Sequence, residues 1–241
     1  MVAHSLEDLQ SIADRFADAA RQCGLTISLK KTEVMFQPRP GEQHADPILT
    51  IDRTPIKSVK SFCYLGSEMA YDAMLDNEMR NRIGKASTMF DSLAHRLWNN
   101  RDVKLCTKIK VYDAAVISSL LYGSETWTTY KHQIRKLNAF HMRCLRKICG
   151  ITWQDRTTNV EVLSRCNTTG IEAKIMRNQL RWAGHVVRMN DTRISKAFLY
   201  GQLQEGSRHS GRQLLRHKDV LNRNLANTEI DNAMWEDLAQ H

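Results

Sequence analysis

Residues 129–149 read TYKHQIRKLNAFHMRCLRKIC, and their two-sided pattern decides the fold of the later part of the chain. A helix turns by about 100° per residue, which places the apolar side chains in an arc of roughly 140° and the basic ones in a complementary arc of roughly 160°. The apolar arc consists of Ile134, Leu137, Phe140, Cys144, Leu145 and Ile148. The basic arc consists of Lys131, Arg135, Lys136, Arg143, Arg146 and Lys147. The stretch is therefore predicted to be a helix with one buried and one cationic face.

Residues 170–189 repeat this organisation. One side is predicted to be apolar and consists of Ile171, Ile175, Met176, Leu180, Trp182, Val186 and Val187. The opposite side carries a basic stripe about 80° wide. The stripe consists of Lys174, Arg177, Arg181, His185 and Arg188. Further helices are predicted over roughly 72–97, 102–121, 215–225 and 230–239 from the same periodicity.

Acidic neighbours that would neutralise these two basic faces are missing from the nearby sequence. No Asp or Glu occurs in 126–154, and Glu172 is the only acid between 162 and 190. A row of like charges repels itself unless an anion lies against it. We therefore expect both faces to contact a nucleic-acid backbone, with an ordinary solvated surface as the alternative. The basic stretch GSRHSGRQLLRHK, 206–218, extends this surface and adds Arg212 as a candidate contact.

Charge and composition change near residue 72. The 241 residues contain 35 Lys and Arg against 26 Asp and Glu, a net charge of +9. Residues 1–71 hold 8 bases and 9 acids, which leaves 27 bases and 17 acids, or +10, for 72–241. All four prolines precede residue 56. The predicted fold class is α+β, mostly α: a small α/β piece over 1–71 with a β-hairpin, followed by helical regions over 72–150 and 151–241.

The α/β piece is predicted to begin with a helix over 5–23, between an N-cap at Ser5 and a C-cap at Gly24. Strands are expected at LTIS, 25–28, and at EVMFQ, 33–37. ILTI, 48–51, and IKSV, 56–59, form a predicted hairpin around the turn DRTP. A last strand, SFCYLGS, 61–67, is expected to end at Gly66.

Several classes of protein are disfavoured. No apolar run approaches the roughly 20 residues that span a bilayer, and the N-terminus lacks a secretory signal pattern. Six cysteines without a CxxC pair are typical of a reduced intracellular protein, in the nucleus or the cytoplasm.

His141, Cys144 and Cys149 do not have the spacing of a standard zinc site, so no metal site is predicted. Most of the five tryptophans are expected to pack in the core, with base stacking as the alternative.

Five stretches in order resemble one known family: GLTISLKKTEVMF (24–36), SFCYLGS (61–67), SLLYGSETW (119–127), FHMRCLRKICGI (140–151) and LRWAGHVVRM (180–189). The chain resembles the C-terminal half of the reverse transcriptase of non-LTR (LINE-type) retrotransposons. The resemblance implies a partial palm over 1–71, a thumb-like helical region over 72–150 and a basic tail over 151–241. It also implies that the chain begins after the catalytic turn of the palm.

Residue roles follow from the resemblance by position. Lys31, with Lys30 as an equally placed rival, would lie near the phosphates of an incoming nucleotide. Phe62, Tyr64 and Gly66 would belong to the primer-grip hairpin. Together with the basic faces, the expected nucleic-acid contacts are Phe62, Tyr64, Gly66, Arg135, Arg143, Arg146, Lys147, Lys174, Arg177, Arg181, Arg188 and Arg212.

Polymerase chemistry needs two metal ions held by carboxylates, which the family supplies partly from an Asp-Asp turn. No Asp-Asp pair occurs in this sequence, so no catalytic residues are predicted and the chain alone is expected to be inactive. Mg²⁺ is expected only for an intact parent polymerase. The expected partners are RNA, an RNA–DNA hybrid or DNA, and the N-terminal polymerase portion, but no membrane. The alternatives are a domesticated helical module that binds nucleic acid or protein, and a poorly folded pseudogene product.

Overall fold

The computed structural model describes residues 1–38, 45–201, 215–231 and 233–240. It divides into two compact units, of which the first spans Met1–Met74 and the second begins at Leu75. The described part of the first unit contains one helix and short strands, and the described part of the second is helical. This confirms the mostly helical α+β fold class.

The first unit is organised by the helix α1, Leu6–Gln22, whose bounds agree with the prediction within a residue. The Ser5 side chain accepts a hydrogen bond from the Asp8 backbone N–H at 3.1 Å, which satisfies an N–H group of the first turn. The inner face of α1 packs small side chains against the strands. This core contains Ala13, Ala17, Val34, Leu49, Ile51 and Ile56.

Among the residues of this unit that the structure describes, six short strands form three two-stranded sheets. They are β1 Glu33–Val34, β2 Thr50–Ile51, β3 Thr54–Pro55, β4 Lys57–Ser58, β5 Ser61–Tyr64 and β6 Ser67–Ala70. β1 pairs with β4 in parallel, whereas β2 with β3 and β5 with β6 are antiparallel hairpins.

The strand predictions for this unit are partly wrong. Residues 25–28 form no strand; Ile27 instead packs its side chain on the core of the unit. The first hairpin turns at Asp52 and Arg53, both with positive φ, so Thr54 and Pro55 lie in the return strand. A two-residue turn with positive φ matches the twist of paired strands, which explains why this turn is shorter than predicted.

The last hairpin has the same turn geometry. Leu65 and Gly66 take φ values of 49° and 85°, and the chain returns as β6, which pairs Phe62 with Met69 and Tyr64 with Ser67. The strand pattern predicted only the first of these two strands, ending at Gly66, whereas the family resemblance implied a hairpin at this position.

The second unit is built from helices in the following order: α2 Asp76–Ser92, α3 Leu105–Val111, α4 Ser118–Leu120, α5 Lys131–Cys149, α6 Asn159–Arg165, α7 Ile171–Val187, α8 Ile194–Tyr200, α9 His217–Asn227 and α10 Trp235–Gln240. A π-helical turn at Tyr112–Ile117 joins α3 to α4, and another at Ala94–Trp98 follows α2. α6 and α8 were not predicted. The sequence did contain a signal for the start of α6. Thr158 and Glu161 have the spacing of a capping box, and the structure shows that capping box at the N-terminus of this helix.

The main core of this unit surrounds the predicted apolar arc of α5, which the structure buries against α2, α3, α6 and α7. Phe90 and Trp98 stack at 5.0 Å between ring centroids, and the Trp98 indole N–H donates to the Phe90 carbonyl at 2.6 Å. A smaller core joins α7, α8 and α9 through Ala183, Val186, Leu199, Leu221 and Leu225. Within the described part of the chain, no helix combines the length and the apolar composition that crossing a bilayer requires.

An ion pair lies inside α2. Arg82 Nε donates to Glu78 Oε1 at 2.7 Å, and the two side chains are 5% and 3% exposed. The Arg82 guanidinium also lies over the Tyr122 ring, at 4.5 Å from its centroid. Both charges depend on each other because water cannot reach them.

We therefore expect Arg82→Gln to lower the free energy of unfolding by about 3–5 kcal/mol, because it removes one charge of a buried ion pair and leaves the Glu78 carboxylate buried. Urea denaturation measures this change. Arg80→Gln is the matched control on the exposed side of the same helix and should change stability by less than about 0.5 kcal/mol. Equal destabilisation of the two variants would contradict the structural role of the buried pair.

Candidate nucleic-acid interface

The exposed side of α7 carries two arginines one helical turn apart. Arg177 and Arg181 are both exposed, and neither makes an ion pair with the described residues. Arg188 follows on the same side, where it is exposed and donates from Nη1 to the Ala239 carbonyl at 2.5 Å. The three arginines form a row about 16 Å long at 1.5 Å of rise per residue. We call these three residues the α7 arginine row.

Lys174 does not belong to the exposed stripe, so that part of the prediction is wrong. Its side chain is 8% exposed, and its Nζ lies 2.9 Å from Asp113 Oδ1. Asp113 comes from the π-helical turn between α3 and α4, far away in sequence. Lys174 lies at the N-terminal end of the stripe, in the first turn of α7, where its side chain is buried.

The expectation that α5 lacks acidic partners is also wrong, because α2 supplies two. Lys136 Nζ lies 3.1 Å from Asp76 Oδ1, and Lys147 Nζ lies 4.0 Å from Asp91 Oδ1. The hydrogen bond from Lys136 helps to lower the pKa of Asp76 against the opposing effect of burial. Exposed pairs of this kind are individually weak, but they reduce the positive potential along this side of α5.

The other predicted contacts on α5 have different surroundings. Arg135 and Arg143 are exposed, and the Arg143 guanidinium lies 5.3 Å from the Phe140 ring centroid. Arg146 is half-buried, and its Nη2 donates to the Thr157 carbonyl and to Asn159 Oδ1, both at 2.9 Å. Arg146 thus anchors the connection between α5 and α6 and has fewer donors left for a ligand.

That connection holds an exposed aromatic side chain. Trp153 is 85% exposed, in contrast to the buried Trp98 and Trp127. The loop is nevertheless ordered by hydrogen bonds: Asp155 Oδ2 accepts from the Thr152 backbone N–H at 2.6 Å and from its hydroxyl at 2.9 Å. We call residues 150–158 the Trp153 loop.

The core-packing expectation for tryptophans holds for Trp98 and Trp127 and fails for Trp153, while Trp182 and Trp235 are half-buried. A signal in the sequence could have singled Trp153 out. It stands shortly after the helix-terminating Gly150 and outside the apolar periodicity of α5.

The candidate residues of the first unit lie on its surface. Lys30 and Lys31 are both exposed in a turn, where the Lys31 N–H donates to the Ser28 carbonyl at 3.0 Å, and the geometry does not favour one lysine over the other. Phe62 is half-buried and Tyr64 is 58% exposed on the β5–β6 hairpin, with 6.5 Å between their ring centroids. Arg212 lies outside the described residues.

The cluster of His141, Cys144 and Cys149 is occupied by other interactions. His141 is buried; its Nδ1 lies 2.9 Å from the Tyr112 hydroxyl, and its Nε2 lies 3.3 Å from the Thr169 carbonyl. Burial raises the pKa of the Cys144 thiol to about 11. Among the residues that the structure describes, no three His, Cys, Asp or Glu side chains come together as metal ligands.

Comparison with known proteins points to mobile genetic elements. Over its whole length the chain is 23% identical, across 254 aligned residues, to an uncharacterized transposon-derived protein of Caenorhabditis elegans, and it covers 88% of that protein. No protein-family model and no solved structure matches it. The similarity supports an origin in a transposable element.

Burial of His141 makes the stability of the second unit sensitive to pH. Burial and the positive charge of Lys174 lower the pKa of His141 to about 4, although the hydrogen bond to the Thr169 carbonyl opposes the shift. Because the pKa of His141 is lower in the folded state than in the unfolded state, its neutral form stabilises the fold fully above the unfolded-state pKa of 6.5. This stabilisation is lost as the pH falls towards 4.

We expect the free energy of unfolding to fall by about 2 kcal/mol from this residue between pH 7 and pH 5. Urea titrations at the two pH values measure the decrease, to which His217 adds in the same direction because burial lowers its pKa too. His141→Gln should flatten this dependence, whereas the exposed His132→Gln on the same helix should retain it. A steep pH dependence of stability that remains in His141→Gln would show that other groups cause it.

Proposed function

We propose that this chain derives from a non-LTR retrotransposon reverse transcriptase and acts as a binding protein for RNA, RNA–DNA hybrid or DNA backbones, without polymerase chemistry of its own. The observation that carries the proposal is the α7 arginine row, with Arg177 and Arg181 exposed and outside any ion pair among the described residues. Residues 72–241, with a net charge of +10, add a long-range attraction for polyanions.

The geometry of the row suits a sugar–phosphate backbone. Guanidinium groups donate in a planar fork that matches phosphate oxygens. A row of about 16 Å has the rise of about five base steps at 3.4 Å each. Such contacts hold the backbone and carry no direct sequence information, so the proposed binding has little sequence preference.

The Trp153 loop supplies a second proposed contact. An exposed indole on an ordered loop loses little conformational entropy when a base stacks on it, and every base offers a π-face. The exposed bases Arg156 and Arg165 lie on the same loop and on the helix that follows it. Trp153 therefore favours an unpaired base over a continuous duplex.

The family resemblance supports the polymerase ancestry, and the transposon-derived relative is consistent with it. The sequence contains no adjacent pair of aspartates of the kind that the family uses to hold catalytic metal ions. Lys31 or Lys30 and the β5–β6 hairpin would then be remnants of the nucleotide and primer contacts, and Mg²⁺ would be needed only by the complete enzyme.

A protein-interaction module is the second candidate function, and one observation favours it. Ile194 and Phe198, one turn apart on α8, are 87% and 75% exposed. Apolar side chains exposed side by side are more typical of a protein contact than of a nucleic-acid contact.

We expect Arg177→Gln/Arg181→Gln to weaken binding to an RNA–DNA hybrid and to reduce the slope of log K against log salt by roughly 2, one unit for each phosphate that is no longer neutralised. Fluorescence anisotropy at several salt concentrations measures both. Arg96→Gln/Arg101→Gln is the matched control, since it removes two exposed arginines from outside the row. The same slope in both double variants would show that net charge alone governs binding.

We expect Trp153→Ala to weaken binding of single-stranded oligonucleotides by about 1–3 kcal/mol, the usual value of one base–aromatic stack, and to leave blunt duplex binding nearly unchanged. Trp153→Phe should retain most of the affinity. Paired titrations with both ligand types measure the difference. Wild-type affinity of Trp153→Ala for single strands would remove this residue from the site.

A further inference from the structure

Two cysteines meet where α5 and α6 end. Cys149 is the last residue of α5, and Cys166 caps the C-terminus of α6. Their Sγ atoms lie 3.1 Å apart, with both thiols free. A disulfide bond is about 2.05 Å long, so the two sulfurs need to approach by only about 1 Å to bond.

The two thiols differ in access. Cys166 is buried, at 4% exposure, and burial together with the neighbouring Cys149 raises the pKa of its thiol to about 12. Cys149 is half-buried and thus the more accessible residue of the two, which makes it the first to meet an oxidant. This pairing of an accessible thiol with a protected one beside it is the arrangement in which one cysteine reacts and the other resolves.

We propose that Cys149 and Cys166 form a redox-sensitive disulfide that locks the Trp153 loop. The oxidant is a low-molecular-weight disulfide such as glutathione disulfide. The Cys149 sulfur attacks one of its sulfurs, forming a mixed disulfide and releasing one glutathione thiol. The Cys166 sulfur then displaces the second glutathione, and each cysteine's proton passes to a released thiolate. Two protein thiols are oxidised and one glutathione disulfide is reduced to two thiols.

The consequence is a more stable folded state. The bond closes a loop containing the 16 residues 150–165, which holds the exposed Trp153 and the capped turn of Thr152 and Asp155. Cross-linking such a loop restricts the unfolded chain more than the folded one. The oxidised protein should therefore unfold at a temperature roughly 5–10 °C higher than the reduced protein.

The experiment uses the full chain with Cys23→Ser, Cys63→Ser and Cys106→Ser, which removes the three exposed thiols that could cross-link molecules. The protein is equilibrated with glutathione disulfide, alkylated and digested with trypsin. The expected product joins the peptides ICGITWQDR (148–156) and CNTTGIEAK (166–174), with a mass two hydrogens below their sum. It should form equally at low and high protein concentration, and its formation should accompany the rise in melting temperature.

Cys144, on the separate peptide CLR (144–146), is the internal control and should be recovered alkylated after unfolding. Cys149→Ser and Cys166→Ser should each abolish both the joined peptide and the temperature shift. The proposal is overturned if the two peptides are recovered separately alkylated or if Cys149 stops at the glutathione adduct. Neither readout involves nucleic acid, so the outcome does not depend on the proposed binding function.

Discussion

Burial of one side of α5 is the constraint on which the second unit depends. Leu137 and Leu145 are completely buried, and α2, α3, α6 and α7 all pack against this helix. Full burial of each leucine contributes about 1.5–3 kcal/mol, so a helix that buries a whole apolar arc contributes substantially to the stability of its unit. Because the apolar arc packs against these helices, Arg135 and Arg143 on the opposite side of α5 face solvent. The stability of the fold and the charge of its surface therefore have the same origin.

Buried polar contacts set the position of α7 within this unit. Gln179 donates to the Trp127 carbonyl at 2.8 Å and accepts from Asn224 at 2.6 Å, which connects α7 to a preceding turn and to α9. On the α5 side, His141 and Lys174 are held by Tyr112 and Asp113, two consecutive residues of one π-helical turn. Apolar packing tolerates sliding, whereas buried hydrogen bonds are costly to break and so specify one arrangement. This arrangement directs Arg177 and Arg181 outwards.

Fewer basic side chains on this surface lack an acidic partner than a count of basic residues indicates. Acids from α2 pair with Lys136 and Lys147, and Asp113 pairs with Lys174, while Arg177 and Arg181 have no acidic partner among the described residues. The positive potential is thereby reduced along one side of α5 and retained on α7. The Trp153 loop exposes an aromatic side chain, and Arg146, a basic residue used for structure, donates a hydrogen bond to this loop. Within one basic unit, some cations therefore stabilise the fold while others remain available to a ligand.

The sequence by itself determined the helices with strong periodicity, because the spacing of apolar residues is a local property. α1, α5 and α7 lie within one or two residues of their predicted bounds, and the apolar arc of α5 is buried as expected. Only the tertiary structure decided which charges are neutralised, because Asp76, Asp91 and Asp113 lie dozens of residues from their lysines along the chain. The tertiary structure also decided the pairing of the short strands and the contact between Cys149 and Cys166. These features depend on which segments meet in space, and the spacing of residues along one segment does not encode that.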